Sequence, residues 1–319
     1  MELGIVIVNY KSAGLAIECL QSLAPEMAQW PGSKVIVVEN ASGDGSGEKL
    51  ARAIIENAWF DWARLIVLDK NTGYAGGNNV GIRALLNSPD PPRYVHLLNP
   101  DTYIRAGAIK ELHGFMEAHP HVGICGSRLE DPDTTPQRSA FRFPSVWTEL
   151  DSGLRLGIVS KVLKHKIAAP PVRDDAHESE WVAGASMMIR REVFDKIGML
   201  DERYFLYYEE VDFCLAAKRA GWPTWYVPAS HVVHLVGQSS GVTDTRRAPS
   251  RRPPYWFESR RLFFLKNRGR LQAIIADLAF SAGFLLWRLR RPLQRKPDLD
   301  PPYLLRDMFR HSALLRGMP

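Results

Sequence analysis

The chain is poor in cysteine and has no long apolar run near its start. Cys19, Cys125 and Cys214 lie far apart in a sequence of 319 residues. Their odd number and wide spacing exclude a disulfide framework and a CxxC metal pair, so a reducing cytosol is the expected environment. The opening MELGIVIVNY lacks the basic residues of a signal peptide. Its apolar run, Leu3 to Val8, is far too short to span a bilayer. Low-complexity tracts are missing too. What remains is 45% hydrophobic and 24% charged, a globular composition with length enough for a well-buried core.

The formal charge of +6 hides an asymmetry. From Arg246 onward there are 17 Lys and Arg against 5 Asp and Glu, and the first 245 residues hold 24 against 30. A mildly acidic body carries a strongly basic tail, a pattern suited to phosphates on lipids or nucleic acid.

Short β-branched runs alternate with amphipathic segments over the first 130 residues. LGIVIV (3–8), KVIVVE (34–39), RLIVL (64–68), YVHLL (94–98) and VGIC (122–125) predict buried strands. Segments 14–24, 46–58, 76–87 and 106–118 carry apolar residues at three- and four-residue spacing and predict helices. Such alternation predicts an α/β fold: a Rossmann-like, mostly parallel central sheet flanked by helices, with ligands at the carboxyl ends of strands. From 131 to 180 the pattern breaks into loops with a short helix near 148–164. Residues 181–198 predict a strand and helix, 201–222 a loop and helix, and 223–228 a strand. Residues 244–254 read as a linker before a long helical stretch over 255–291.

Four stretches carry candidate chemistry. VENASGDGS (38–46) puts Glu39 at a strand end, where an acid can accept a base N–H or a ribose hydroxyl; the same residues suit a plain turn. NTGYAGGNNVG (71–81) clusters glycines at a helix start, suited to an anion or to close packing alone. In LLNPDT (97–102), Asp101 can anchor a hard divalent cation or cap the next helix. In FLYYEEVDFCLAAKRAGW (205–222), Glu209, Glu210 and Asp212 open a helix. Acids there suit the helix dipole, yet carboxyls crowded beside aromatic rings also acquire the raised pKa of a general base.

Taken in order with VIVNYKS (6–12), WVAGAS (181–186) and HVVHLVGQSSG (231–241), these stretches resemble the family 2 glycosyltransferases of GT-A fold, in their rhamnosyltransferase-like branch. The resemblance runs from about residue 3 to 241. It implies inverting transfer of a sugar, with rhamnose the sugar of that branch, to an acceptor hydroxyl in cell-surface polysaccharide or glycolipid synthesis. The donor would be a dTDP- or UDP-sugar and the acceptor a glycan or lipid-linked glycan. Asn9 and Tyr10 would border the nucleotide, Glu39 would take the place of the family's base-binding Asp, and Asn71, Gly73 and Asn79 would form the N-x-G…N-x-G loop. NPD stands at the DxD position, so Asn99 replaces the first acid and Asp101 holds Mg²⁺ or Mn²⁺, with His234 within reach. EEVD replaces the family's EDVD; Glu210 is the expected base, with Glu209 and Asp212 as alternatives. Small residues around Gly184 would leave room for the acceptor, with Trp181 stacking on a sugar.

On this reading residues 1–243 form the catalytic domain, with a nucleotide-binding half (1–130) and an acceptor half (131–243). Residues 244–319 form a basic helical C-terminal extension. Aromatic and apolar residues flanked by Arg in 255–296 suit a helix on an anionic membrane surface, or one packed on the domain with a solvated basic face. The expected location is the cytoplasm, at the inner face of the membrane if the tail engages lipid. A sugar nucleotidyltransferase would show a Gly-rich basic loop after the first strand, where NYKSAGLAIECL has one Lys. A nucleic-acid partner is not expected, because the basic residues gather in the tail and not among the motifs. The remaining alternative is an inactive relative that binds carbohydrate or nucleotide sugar, prompted by Asn99 and Glu210.

Overall fold

The structure is a computed structural model that describes residues 1–235 and 249–319. The GQSSG stretch (237–241), the boundary at 243/244 and the first half of the expected linker lie outside the described residues. The chain begins β1 (Leu3–Asn9), α1 (Ala13–Met27), β2 (Lys34–Glu39), α2 (Ser46–Glu56), β3 (Ala63–Val67), α3 (Gly73–Leu86) and β4 (Tyr94–Leu98). It continues β5 (Thr102–Ile104), α4 (Ala108–Ala118), β6 (Ile124–Glu130), β7 (Ala140–Phe141), α5 (Val146–Leu154) and α6 (Gly157–Val162). Then come β8 (His177–Ser179), β9 (Trp181–Val182), β10 (Ser186–Arg190), α7 (Arg191–Ile197), α8 (Glu209–Arg219) and β11 (Thr224–His234). The chain ends with α9 (Pro254–Arg268), α10 (Arg270–Leu293) and α11 (Leu304–Arg310).

The central sheet runs β3-β2-β1-β4-β10-β6-β11-β5, with β8 pairing the start of β11. β3, β2, β1 and β4 are parallel to their neighbours. β10 runs antiparallel between β4 and β6, so the second half of the sheet is mixed. The chain leaves β1 toward β2 and β3, then returns to β4 on the other side. That reversal opens a crevice at the carboxyl ends of β1 and β4.

Helix α3 lies close on β1 because it is made of small residues. A Cβ on Gly81 would sit 2.4 Å from Val6 Cγ1, and one on Gly77 2.7 Å from Val8 Cγ1. These two glycines of the expected anion loop therefore serve packing. The C-terminal helices are not a loose tail. Leu262, Phe263 and Phe264 of α9 join Val193, Phe194, Phe213 and Leu215 in one buried cluster. Each such side chain adds roughly 1.5–3 kcal/mol of burial.

Three local differences from expectation have plain causes. The stretch 255–291 is two helices, because Gly269 turns between them at φ 81°. The strand at 122–125 lies instead at Ile124–Glu130. The strand expected to end at Pro228 runs on to His234, its register shifting between Val227 and His231. Proline within a strand is accommodated at such an irregularity.

Candidate active site

A cleft of about 580 Å³ lies over the ends of β1 and β4. One wall comes from the loops that leave those strands. Tyr10 follows β1; Asn99, Pro100 and Asp101 follow β4. Asn99 is pinned by its own backbone: its N–H donates to Ala185 at 3.0 Å, and its carbonyl accepts from Thr102 Oγ1 at 2.7 Å. Residues 102–104 then form β5, which pairs Thr102 with His234 on β11. That pairing brings His234 Nε2 to 3.6 Å from Asp101 Oδ1. Gln137 Nε2 donates to the His234 carbonyl at 2.9 Å and further fixes it.

The donor set fits a hard divalent cation. Asp101 is almost fully buried yet faces the cleft, His234 faces it too, and the buried Asn99 Oδ1 has no hydrogen-bond partner among the described residues. Two side-chain oxygens and an imidazole suit Mg²⁺ or Mn²⁺, which complete their shells with water or phosphate.

The opposite wall is the N-terminus of α8 with the loop before it. Tyr207 and Tyr208 both adopt left-handed backbone, φ 71°, a conformation that disfavours non-glycine residues by about 1–3 kcal/mol each. This turn aims Glu209 and Glu210 into the cleft. Glu209 is 3% exposed, and one oxygen of each carboxyl lacks a hydrogen-bond partner among the described residues. Burial pushes the Glu210 carboxyl up to about 7. Burial, reinforced by the charge of Glu210, drives Glu209 well above the ordinary carboxylate range. The helix dipole favours ionised acids here, and desolvation outweighs it. The two walls are docked at Gly73: a Cβ there would lie 2.0 Å from the Phe205 carbonyl, and Tyr74 N–H donates to that carbonyl at 2.7 Å.

Nine expected site residues line this one cleft: Tyr10, Asn71, Gly73, Asn99, Asp101, Gly184, Glu209, Glu210 and His234. Five do not, and each has another occupation. Asp212 turns away into an ion pair with Lys266 (2.7 Å) and hydrogen bonds from Asn267 and Tyr204. Trp181 lies outside the cleft lining; it stacks one ring face on Phe141 at 4.3 Å and donates its indole N–H to the Arg142 carbonyl. Asn79 bridges α3 to Leu200 and Glu202. Asn9 Oδ1 accepts from Ser12, and Glu39 Oε1 holds the following turn through Ser42 N–H at 2.8 Å.

Other residues of the cleft went unread in the sequence. Asn40 clamps the 71–74 loop, donating to the Gly73 carbonyl and accepting from Thr72 N–H. Tyr74 donates its hydroxyl to the Gly184 carbonyl at 2.8 Å. Its phenol is pushed far up by burial and by the charges of Glu209 and Glu210. Arg138 is the one Lys or Arg on the cleft wall among the described residues, and it is exposed. Tyr255 of α9 meets Phe205 at 5.4 Å and Tyr207 at 6.3 Å, so the C-terminal region supplies part of an aromatic wall. Asn40 and Tyr74 lie inside the stretches VENASGDGS and NTGYAGGNNVG; nothing local pointed to Arg138 or Tyr255.

Comparison with known proteins agrees with this arrangement. Solved structures share the fold: GalNAc-T7 with UDP, GalNAc and Mn²⁺ (TM-score 0.60, 14% identity, covering 98% of this chain and 54% of that one), and the mannosyltransferase PcManGT from Pyrobaculum calidifontis with GDP-Man and Mn²⁺ (TM-score 0.54, 15% identity, 97% and 85%). The chain thus spans about half of the first of these structures. Among curated proteins, the N-acetylglucosaminyl-diphospho-decaprenol L-rhamnosyltransferase of Mycobacterium tuberculosis is 27% identical over 65% of this chain and 68% of that protein. The low-salt glycan biosynthesis hexosyltransferase Agl10 of Haloferax volcanii is 31% identical over 68% and 62%. The dTDP-rhamnosyl transferase RfbF of Shigella flexneri is 26% identical over 86% and 84%. The family described as Glycosyl transferase family 2 matches residues 4–198. With that match over more than half its length and the GT-A architecture around its cleft, the chain belongs to glycosyl transferase family 2 and is a glycosyltransferase.

Proposed function

We propose that the cleft carries out inverting transfer of a rhamnosyl-class sugar from a nucleoside diphosphate, dTDP before UDP, to a hydroxyl of a lipid-linked glycan in cell-surface polysaccharide synthesis. One observation carries the reading: two desolvated carboxyls, Glu209 and Glu210, share a single cleft with the Asp101–His234 pair. The relatives named for rhamnosyl transfer, one of them acting on a diphospho-decaprenol glycan, support the choice of sugar and acceptor.

Asp101, His234 and Asn99 would hold Mg²⁺ or Mn²⁺, which when bound supplies positive charge beside the leaving diphosphate. Arg138 provides a second cation on the same cleft for the phosphates. Glu210 takes the acceptor's hydroxyl proton as its oxygen bonds to the anomeric carbon. The bond from that carbon to the diphosphate oxygen breaks, and the electron pair leaves with the nucleoside diphosphate. Glu210 suits this task better than Glu209: it is less enclosed, and its carboxyl ionises near neutrality. Burial and the charge of Glu210 hold Glu209 well above the ordinary carboxylate range, which disfavours a second negative charge beside the base. Phe205, Tyr207 and Tyr255 offer apolar faces to the acceptor.

A thermal-shift panel of nucleotide sugars with Mg²⁺ or Mn²⁺ tests this reading. A dTDP-sugar should raise the melting temperature most, and a chelator should remove the shift. A shift from UDP- or GDP-sugars alone would overturn the donor assignment; a shift indifferent to chelator would overturn the metal.

A further inference from the structure

Helix α10 has two faces of opposite kind. Its inner face is locked to the body. Ala273, Ala276, Phe280, Gly283, Phe284 and Trp287 are buried, and Gly283 lies so close to α5 that an added Cβ would meet the Leu154 amide at 2.8 Å. Asp277, on the same face, is held by Arg260, which also pairs with Glu149 at 2.8 Å. Asp277 Oδ2 in addition accepts the Ala313 N–H at 2.7 Å.

The outer face should be polar if it met only water. It is not. Leu271, Ile275, Leu278, Leu285, Leu286, Leu289 and Leu293 are exposed, Leu271 at 72% and Leu293 at 84%. With Ala282 they recur at three- and four-residue spacing down one side of a 24-residue helix, about 36 Å long. Gln272 and Arg290, eighteen residues apart, share one edge of that stripe; Arg290 donates to the Leu154 carbonyl at 2.6 Å, and no acid lies on the exposed face. Seven large apolar side chains in line form a patch well beyond the scattered leucines of an ordinary surface.

Cations stand at both ends of the stripe. Arg270 and Arg295 are exposed without a carboxylate partner among the described residues, and Lys296 is exposed over the Trp287 ring. Residues 249–319 together hold 15 Lys and Arg against 5 Asp and Glu.

We infer that this face of α10 lies in the headgroup layer of an anionic membrane, leucines toward the acyl chains and Arg270 and Arg295 on the phosphates. Length and composition alone would let the helix cross a bilayer. Crossing would tear the Gly283 contact from α5 and carry the Asp277–Arg260–Glu149 network into hydrocarbon, so the helix lies in the plane of the surface. A second copy is the weaker occupant. Two-fold pairing of the stripe would set its basic ends against one another, whichever way the helices run.

The inference stands on the helix face, and its test reads no sugar chemistry. Full-length protein is sedimented with vesicles of phosphatidylcholine, alone or with phosphatidylglycerol. It should pellet with the anionic vesicles and stay in solution with the neutral ones. The triple variant Leu278→Glu, Leu285→Glu, Leu289→Glu should lose roughly tenfold or more of that binding with its melting temperature kept, since all three side chains are already exposed. The double variant Arg270→Glu, Arg295→Glu, which leaves every leucine in place, should weaken binding and flatten its salt dependence. Wild-type protein that fails to pellet, or a triple variant that pellets equally, overturns the inference. So does a wild-type dimer in sedimentation velocity that the triple variant turns into a monomer without any vesicle binding.

Discussion

The two walls of the cleft are built from different kinds of contact. The wall at the ends of β1 and β4 rests on the regular sheet: Asp101 follows directly from β4, and the β5–β11 pairing sets His234 beside it. The wall at α8 rests on irregular backbone, with two consecutive left-handed tyrosines and an aromatic neighbour from α9. The first wall is rigid and presents ligands for a cation. The second is strained and desolvated, and it presents carboxyls raised above the ordinary carboxylate range, Glu210 to about 7. A glycosyl transfer that inverts its centre needs both: charge at the leaving group, and a base for the incoming hydroxyl.

The comparison predicts unequal responses to substitution. Apart from loss of the base itself, the largest belongs to the sheet wall. Asp101→Ala should reduce kcat by about 10²–10³-fold and remove the response of melting temperature to Mn²⁺. Unaltered metal response would move the cation elsewhere. The junction between the walls comes next. Gly73→Ala places a Cβ on the Phe205 carbonyl at positive φ, so a loss of roughly 2–4 kcal/mol is expected in denaturant unfolding. A neutral outcome would show that the walls are not docked there.

The smallest effect is a gain. The folded state keeps Glu209 protonated at pH values where the unfolded chain has released that proton. Stability is therefore lost as pH rises from the ordinary carboxyl range toward the folded value. Glu209→Gln cannot ionise, so its stability relative to wild type should be higher at pH 8 than at pH 4. Calorimetry at the two values checks the sign; equal differences at both would place Glu209 in contact with water.

The contrast between the walls also explains what could be seen in the sequence. β1, β2 and β4 are legible as continuous apolar runs because both of their faces are buried, and α1 to α4 as periodic segments because each buries one side. Asp101 was legible as a strand-end acid; His234 was reached only through the family resemblance, and no local pattern showed how the two meet. Three residues of β5 carry too little pattern to predict, and Pro228 hid the continuation of β11 that delivers His234. Asp212, Trp181 and Asn79 carry suitable chemistry in suitable motifs. Partners far along the chain, Lys266, Arg142 and Leu200, decide their roles, and no local spacing encodes those contacts. Arg138 sits in an irregular stretch whose position depends on Gln137 reaching His234. The basic tail was legible as a helical stretch suited to a membrane surface or to packing on the domain; its division into a core-building face and an exposed leucine stripe emerges only when α10 packs on α5.

The account turns on Glu210 acting as the base from its desolvated wall. The most direct measurement is the pH dependence of kcat with saturating donor and acceptor, for wild type and Glu210→Gln. Wild-type kcat should climb as pH rises through about 7, following ionisation of that carboxyl, and the variant should lose about 10²–10⁴-fold together with the ionisation itself. A variant that keeps the same rising limb, or near-normal turnover, would contradict the assignment and shift the base to Glu209.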